Sequence, residues 1–112
     1  MADKYQVQGD EIRAYSNSQG VLKVSGSEIR KYSNSQGVLK ISGNEIRKYS
    51  NSQGVLKVSG NEIKEYSTSK TIGKVSGDTV TINGKSVEIK GVGKYNTAYC
   101  AAIALALLDP ML

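Results

Sequence analysis

GSEIRKYSNSQGVLKIS, residues 26–42, is the stretch that decides the fold, because the chain repeats it with a period of 17 residues. GDEIRAYSNSQGVLKVS precedes it from residue 9, and GNEIRKYSNSQGVLKVS and GNEIKEYSTSKTIGKVS follow it from residues 43 and 60. A shortened copy, GDTVTINGKSVEIKG, begins at residue 77, and residues 4–8 match the tail of a unit. Such a period indicates one supersecondary unit that buries its apolar face only against its neighbours.

Each unit begins with a glycine and a small polar residue between two runs rich in β-branched residues. This pattern predicts a tight β-hairpin, because glycine adopts the positive φ that primed turns require. A two-residue turn pairs the strands symmetrically, so Val24 should lie opposite Ile29, and Lys23 opposite Arg30. The five predicted turns are Gly9-Asp10, Gly26-Ser27, Gly43-Asn44, Gly60-Asn61 and Gly77-Asp78.

Alternation along these strands separates an apolar inner face from a polar outer face. Leu22, Val24 and Ile29 share the inner face of their hairpin. One hairpin buries too few aliphatic side chains, at about 1.5–3 kcal/mol each, to offset its ordering entropy. The hairpins must therefore surround a common apolar centre. Their predicted inner residues are Leu39, Ile41, Ile46, Val58, Ile63, Val75 and Val80.

Polar clusters at residues 16–20, 33–37 and 50–54, each reading Ser-Asn-Ser-Gln-Gly, predict loops at the opposite end of the hairpins. The last unit carries Asn83-Gly84 between β-branched residues, which predicts a type I′ hairpin turn.

The C-terminal segment changes character and predicts a helix. Asn96 and Thr97 offer an N-cap, and residues 98–108 form an unbroken apolar run of eleven residues. Asp109-Pro110 ends this run. Eleven residues rise about 16 Å, against about 30 Å for a hydrocarbon core, so membrane spanning is not expected. Because the segment is apolar on all sides, we expect the hairpins to enclose it.

The 17-residue units and the alanine-rich final segment, TAYCAAIALALL, resemble the bacterial four- and five-fold β-flower proteins. The resemblance covers nearly the whole chain and implies a mainly β fold, a closed ring of repeated β-hairpins around one C-terminal apolar α-helix. It implies a single domain, residues 1–112, with five hairpin units over 9–91, a half-unit at 4–8 and a helix at 96–108. It carries over no active site.

Composition argues against catalysis. The chain has no histidine, which removes the imidazole base of the common hydrolase triads and the usual nitrogen ligand for zinc. The repeated glutamates fall in different hairpins, so no facing pair of catalytic carboxylates is expected. We therefore predict no enzyme, no cofactor and no metal. The single cysteine, Cys100, and the polar N-terminal segment predict a cytoplasmic protein.

The outer face is the first candidate binding surface. Its basic and tyrosine side chains recur at equivalent positions, and the net charge of +5 permits attraction to anions. The competing interpretation is a solvated surface whose charges are offset by neighbouring glutamates. That interpretation is the stronger one, and it argues against nucleic acid as the partner. The candidate anion or partner surface consists of Lys23, Arg30, Tyr32, Lys40, Arg47, Tyr49, Lys57 and Lys64.

The Ser-Asn-Ser-Gln loops are the second candidate surface, a rim that would suit a protein or a glycan. The sequence favours a non-enzymatic structural or interaction module whose partner is unknown. Three alternatives stay open: a membrane-associated protein that releases the helix, a nucleic-acid binder that uses the basic face, and an open β-solenoid that polymerises. Oligomerisation is compatible with each.

Overall fold

The computed structural model describes residues 3–16, 19–34 and 36–108, and it is mainly β with one C-terminal helix. In these ranges eleven strands form a closed barrel, and the helix packs against them. The strands are β1 (Asp3–Gln8), β2 (Glu11–Ala14), β3 (Gly20–Ser25), β4 (Glu28–Lys31), β5 (Gly37–Ser42), β6 (Glu45–Lys48), β7 (Gly54–Ser59), β8 (Glu62–Glu65), β9 (Thr71–Ser76), β10 (Thr79–Ile82) and β11 (Lys85–Lys90).

Neighbouring strands are antiparallel except where the barrel closes. Five hairpins, from β1–β2 to β9–β10, follow one another around the barrel, and β11 continues the sheet beside β10. β1 then pairs with β11 in parallel, with Asp3 opposite Val87 and Gln6 opposite Lys90. The ring of hairpins is therefore closed, and the open solenoid is the wrong alternative.

The glycine turns adopt the predicted geometry. In all five, the glycine has a φ between 60° and 62°, and the strands pair in the predicted register, with Val24 opposite Ile29. The second turn residue does not have a positive φ. Among the described non-glycine residues, a positive φ occurs at Ser52, Ser69 and Asn83, and none of these lies in a glycine turn. This pattern fits type II′ turns. Asn83 and Gly84 both have positive φ, as a type I′ turn requires.

A β-bulge separates each hairpin from the next. Ile12 lies opposite Leu22, but Arg13 lies opposite Gly20, so Val21 is the extra residue on β3. The same shift recurs between β4 and β5, between β6 and β7, and between β8 and β9. A bulge resets the alternation of faces, and here it places Gly20 beside Arg13.

The inner faces of the hairpins form the core. The predicted inner residues are buried, except that Val75 is half-buried beside its partner Val80. None of the buried residues in the described ranges is polar or charged. The buried strand residues are Ile12, Leu22, Val24, Ile29, Leu39, Ile41, Ile46, Leu56, Val58, Ile63, Val80, Ile82, Val87 and Ile89.

Helix α1 (Thr97–Leu108) fills the centre of this core. The backbone N–H of Tyr99 donates to the Asn96 side chain, so Asn96 is the N-cap. Residues 101–104 are fully buried, and four consecutive residues cover the whole circumference of a helix. The helix contacts seven strands, β4 to β7 and β9 to β11. The prediction of an enclosed helix is confirmed.

Candidate functional site: the outer ladder and the loop end

The structure places the predicted basic and tyrosine residues together on the outer face. Lys23 pairs across its hairpin with Arg30, Lys40 with Arg47, and Lys57 with Lys64. Each of these three lysines also lies opposite a glutamate of the preceding hairpin, as Lys40 lies opposite Glu28. A cation on one side of each lysine is thus balanced by a carboxylate on the other. The side chains of Lys23, Lys40, Lys57, Arg30, Arg47, Lys64, Tyr32 and Tyr49 are all half-buried.

The arginines and tyrosines form a contact that joins successive units. We call the three copies the outer ladder. In the second copy, Arg30 forms an ion pair with Glu28 and donates a hydrogen bond to the Tyr49 hydroxyl, at 3.3 Å. The guanidinium carbon lies 5.2 Å from the centre of the Tyr49 ring, a cation–π distance. The other copies are Glu11, Arg13 and Tyr32, and Glu45, Arg47 and Tyr66.

Each tyrosine ring covers a glycine of the strand between. A Cβ added to Gly20 would lie 2.6 Å from the Tyr32 ring, and one added to Gly37 would lie 2.4 Å from the ring of Tyr49. Gly54 and Tyr66 repeat the arrangement. The tyrosine of one hairpin therefore crosses a strand to reach the arginine of the hairpin before it.

We call Gly20, Gly37 and Gly54 the seat glycines, because each lies beneath a tyrosine ring. They were not among the predicted site residues, although the sequence contains a signal for them. In the fourth unit Thr71 replaces the seat glycine, and 12 residues later Asn83 replaces the tyrosine. The two substitutions occur together because no ring has to be accommodated. Lys64, which replaces the arginine, donates instead to the Thr71 hydroxyl at 2.9 Å and lies 3.4 Å from Glu62.

In the outer ladder, each arginine is already paired with a carboxylate and a tyrosine of the same chain. The hydrogen bond that Arg30 donates to Glu28, followed by the one that it donates to Tyr49, raises the pKa of the Arg30 guanidinium, so the group is charged at every physiological pH. The same two kinds of partner raise the pKa of Arg13 and of Arg47. An external phosphate would have to compete with a carboxylate already in contact. This arrangement weakens the case for an anion site on the outer face.

The Ser-Asn-Ser-Gln loops are held by hydrogen bonds within themselves. The backbone N–H of Gln36 donates to the Asn34 side chain at 3.0 Å, and that of Gln53 donates to the Asn51 side chain at the same distance. The carbonyl of Gln36 accepts from the Lys31 N–H, closing the loop at 2.9 Å. These asparagines shape the turn, as Asx turns do. Residues 17, 18 and 35 of the predicted rim lie outside the described residues.

The two ends of the barrel differ. The glycine-turn end, formed by the five glycine turns, is closed by residues that lead into the helix. Lys94 Nζ donates to the Gly9 carbonyl at 2.7 Å, and the Tyr99 hydroxyl donates to the Gly26 carbonyl at 3.1 Å. The Tyr95 ring stacks on the Tyr99 ring with centroids 5.7 Å apart.

At the loop end, formed by the loops after β2, β4, β6, β8 and β10, the described residues enclose the last turn of the helix only in part. Residues 105–108 are half-buried, in contrast to the buried turn before them. A pocket of about 260 Å³ opens between the helix and the β10–β11 turn. It is lined by Ile82, Asn83, Lys85, Leu105 and Leu108.

Four lysines lie at this end of the barrel, and one of them, Lys85, lines the pocket. Lys31 lies opposite Leu22 and Lys48 opposite Leu39, and directly opposed residues share a face, so both lysines belong to the inner face at its rim. The alternation of the strand predicts this position, although the predicted site residues included only lysines of the outer face. Lys70 and Lys85 are exposed at the same end.

Cys100 lies inside the barrel and is 2% exposed. Its thiol donates to the Val92 carbonyl, with 3.4 Å between sulfur and oxygen. Burial raises the pKa of the thiol to about 11. The thiolate is therefore scarce at neutral pH, and the residue acts as core packing.

Within residues 3–16, 19–34 and 36–108, no group of three or more histidine, cysteine, aspartate or glutamate side chains is arranged to hold a metal ion. None of the described helices combines the length and the hydropathy needed to cross a bilayer. Comparison with protein families, with curated proteins and with solved structures finds no match for this chain.

Proposed function

We propose that this chain is a non-enzymatic structural and interaction module that binds its partner through the loop end of the barrel. The difference between the two ends supports this proposal. Side chains from the first turn of the helix and from the segment before it bond the backbone at the glycine-turn end, whereas half-buried leucines are partly exposed at the loop end. Three of the five loops at this end share the sequence Ser-Asn-Ser-Gln, and a repeated polar sequence of this kind suits a protein or a glycan.

We propose further that the chain is a bacterial β-flower protein, that it acts in the cytoplasm, and that it needs no cofactor. The outer ladder supports the structural part of this function, because it joins each hairpin to the next by an ion pair, a hydrogen bond and a cation–π contact. Its internally paired charges favour a module that presents its ends over one that binds nucleic acid along its side.

Site-specific photo-crosslinking in living cells tests which end engages a partner. A benzophenone amino acid is placed at Ser50, an exposed loop-end residue, or at Asn44, an exposed residue of a glycine turn in the same hairpin. Benzophenone reacts with C–H bonds of proteins, glycans and lipids alike. We expect discrete adducts from Ser50 and none from Asn44. Adducts from Asn44 alone, equal adducts from both, or none from either would overturn the proposal.

A further inference from the structure

We propose that the partner of the loop end is an anionic phospholipid surface, onto which the barrel docks end-on with its helix still enclosed. This inference rests on the proposed function, because it names the partner of the same end.

Apolar side chains of the helix are partly exposed at the loop end of the barrel. Leu105, Leu107 and Leu108 are half-buried where the helix ends, and Leu105 and Leu108 line the pocket with Ile82. Residues 101–104, one turn earlier, are fully enclosed. The leucines can therefore contact acyl chains or the region just above them without any loss of core packing.

The charge around these leucines complements an anionic surface. Lys31, Lys48, Lys70 and Lys85 lie at the loop end, whereas Glu65 is the carboxylate among the described side chains of that rim and accepts a hydrogen bond from Thr68. In the sequence, Asp3 is the first residue of β1 and Asp109 is the next residue after the last one of α1. Lysines beside apolar side chains are typical of surfaces that lie in the headgroup region.

Charged residues at the glycine-turn end also influence which end of the barrel approaches an anionic surface. Six acidic residues lie in the glycine turns or at the first position of the strand that follows, and two lysines, Lys90 and Lys94, accompany them. The outer basic residues lie further toward the loops. Four of these carboxylates form ion pairs with a basic side chain two residues further along the chain, which partly offsets their charge. The remaining difference between the ends favours approach of the loop end to an anionic surface. The six acidic residues are Asp10, Glu11, Glu28, Glu45, Glu62 and Asp78.

Docking by the helix terminus differs from release of the helix. Release would expose Ala101, Ile103 and the aliphatic residues of every hairpin that surround them. End-on docking keeps this core intact, because it uses only side chains that are already partly exposed.

Vesicle flotation tests the inference with the full-length chain. The probes are vesicles of phosphatidylcholine alone and vesicles that also contain phosphatidylglycerol, at low and at physiological salt. We expect binding to the anionic vesicles only, and we expect it to weaken as salt is added. Near-ultraviolet circular dichroism should stay native on binding. Binding to both kinds of vesicle alike, binding to neither, or loss of the native spectrum would overturn the inference.

Two matched lysines locate the docking end. Lys31 at the loop end and Lys90 at the glycine-turn end are both exposed. Lys31→Gln should lower the partition coefficient about fivefold, since a lysine near an anionic membrane contributes about that factor, and Lys90→Gln should leave it unchanged. Equal effects would overturn end-on docking. If Lys31→Gln instead weakens capture of single-stranded RNA and not of vesicles, the partner is a nucleic acid and the inference fails.

The two proposals fail in different ways. If vesicles do not bind but Ser50 still forms adducts with a protein or a glycan, the lipid inference is wrong and the loop-end module stands. If Ser50 forms no adduct in cells, the module itself is wrong.

Discussion

At the scale of single residues, the glycines beneath the tyrosine rings determine how closely the hairpins join. Gly37 lacks a side chain where a Cβ would lie 2.4 Å from Tyr49, and its φ lies outside the left-handed region. Steric contact with the ring therefore excludes a side chain there, while the backbone conformation would accept one. This distinguishes Gly37 from the turn glycines, whose positive φ is the reason for their identity.

The substitution Gly37→Ala should lower the free energy of unfolding by about 1–3 kcal/mol, because the tyrosine must leave its seat and its contact with Arg30. In a Tyr49→Asn background, which copies the fourth unit, the same substitution should be neutral or slightly stabilising. Urea denaturation of the four proteins of this double-mutant cycle gives the coupling.

Gly93→Ala is the matched control, since nothing lies within 4 Å of a Cβ at that position. It should change stability little. An equal cost for Gly37→Ala with and without the tyrosine ring would show that the ring is not what excludes a side chain.

Cys100 predicts a loss of stability at alkaline pH. Burial raises the pKa of the thiol from an ordinary value of 9.0 to about 11 in the folded chain. Between these values the unfolded chain has released the proton and the folded chain still holds it, so the folded state becomes less stable as pH rises. The contribution is complete below pH 9 and is lost through pH 11, with a size of about 3 kcal/mol at most.

Urea midpoints across this alkaline window, compared between the parent chain and Cys100→Ala, measure the effect. Burial, followed by the charges of Asp10 and Tyr99, also raises the pKa of Tyr95, and this contribution is common to both proteins. The parent should therefore lose stability more steeply than the variant. Parallel curves would contradict the assignment to the thiol.

At the scale of elements, the burial of α1 changes along its length: residues 100–104 are buried and residues 105–108 are half-buried. Ile103 is fully buried, whereas Leu107 is half-buried at the loop end, although the two residues lie four apart and therefore on nearly the same side of the helix. Their difference in exposure arises from depth in the barrel, not from the face of the helix.

Ile103→Ala should cost about 2–5 kcal/mol of unfolding free energy, because a fully enclosed site relaxes little around the cavity. Leu107→Ala removes a similar amount of apolar surface from a partly exposed site and should cost less than half as much. Denaturant unfolding with fitted m-values measures both. If the order is reversed, the depth of the helix in the barrel has been assigned wrongly.

At the scale of the whole molecule, the local pattern predicted the hairpins and the helix. A two-residue turn and strict alternation determine the register, which is why Val24 lies opposite Ile29. The apolar run after Asn96 was too short for a bilayer and apolar on all sides, and this predicted its enclosure. Each of these inferences needs only residues that are near one another in the chain.

The features that escaped prediction depend on contacts between units. The bulge at Val21 turns Gly20 toward the outer face, and the tyrosine ring above it reaches an arginine two strands away. A period of 17 residues predicts which residues occupy equivalent positions. It does not predict how far each hairpin is shifted along its neighbour. A closed ring was predicted, but the parallel pairing of β1 with β11 that closes it was not, because this contact joins residue 3 to residue 87 and has no local signal.

That closing contact affects how the protein is made. While the ribosome is still adding the later hairpins, the first strand has β2 on one side and a row of unpaired backbone groups on the other. Its permanent neighbour is synthesised more than 80 residues later, and long-range pairings of this kind form slowly. The nascent chain therefore has an unpaired strand edge for most of its synthesis, and another chain could pair with that edge. This route to aggregation closes only when β11 pairs with β1.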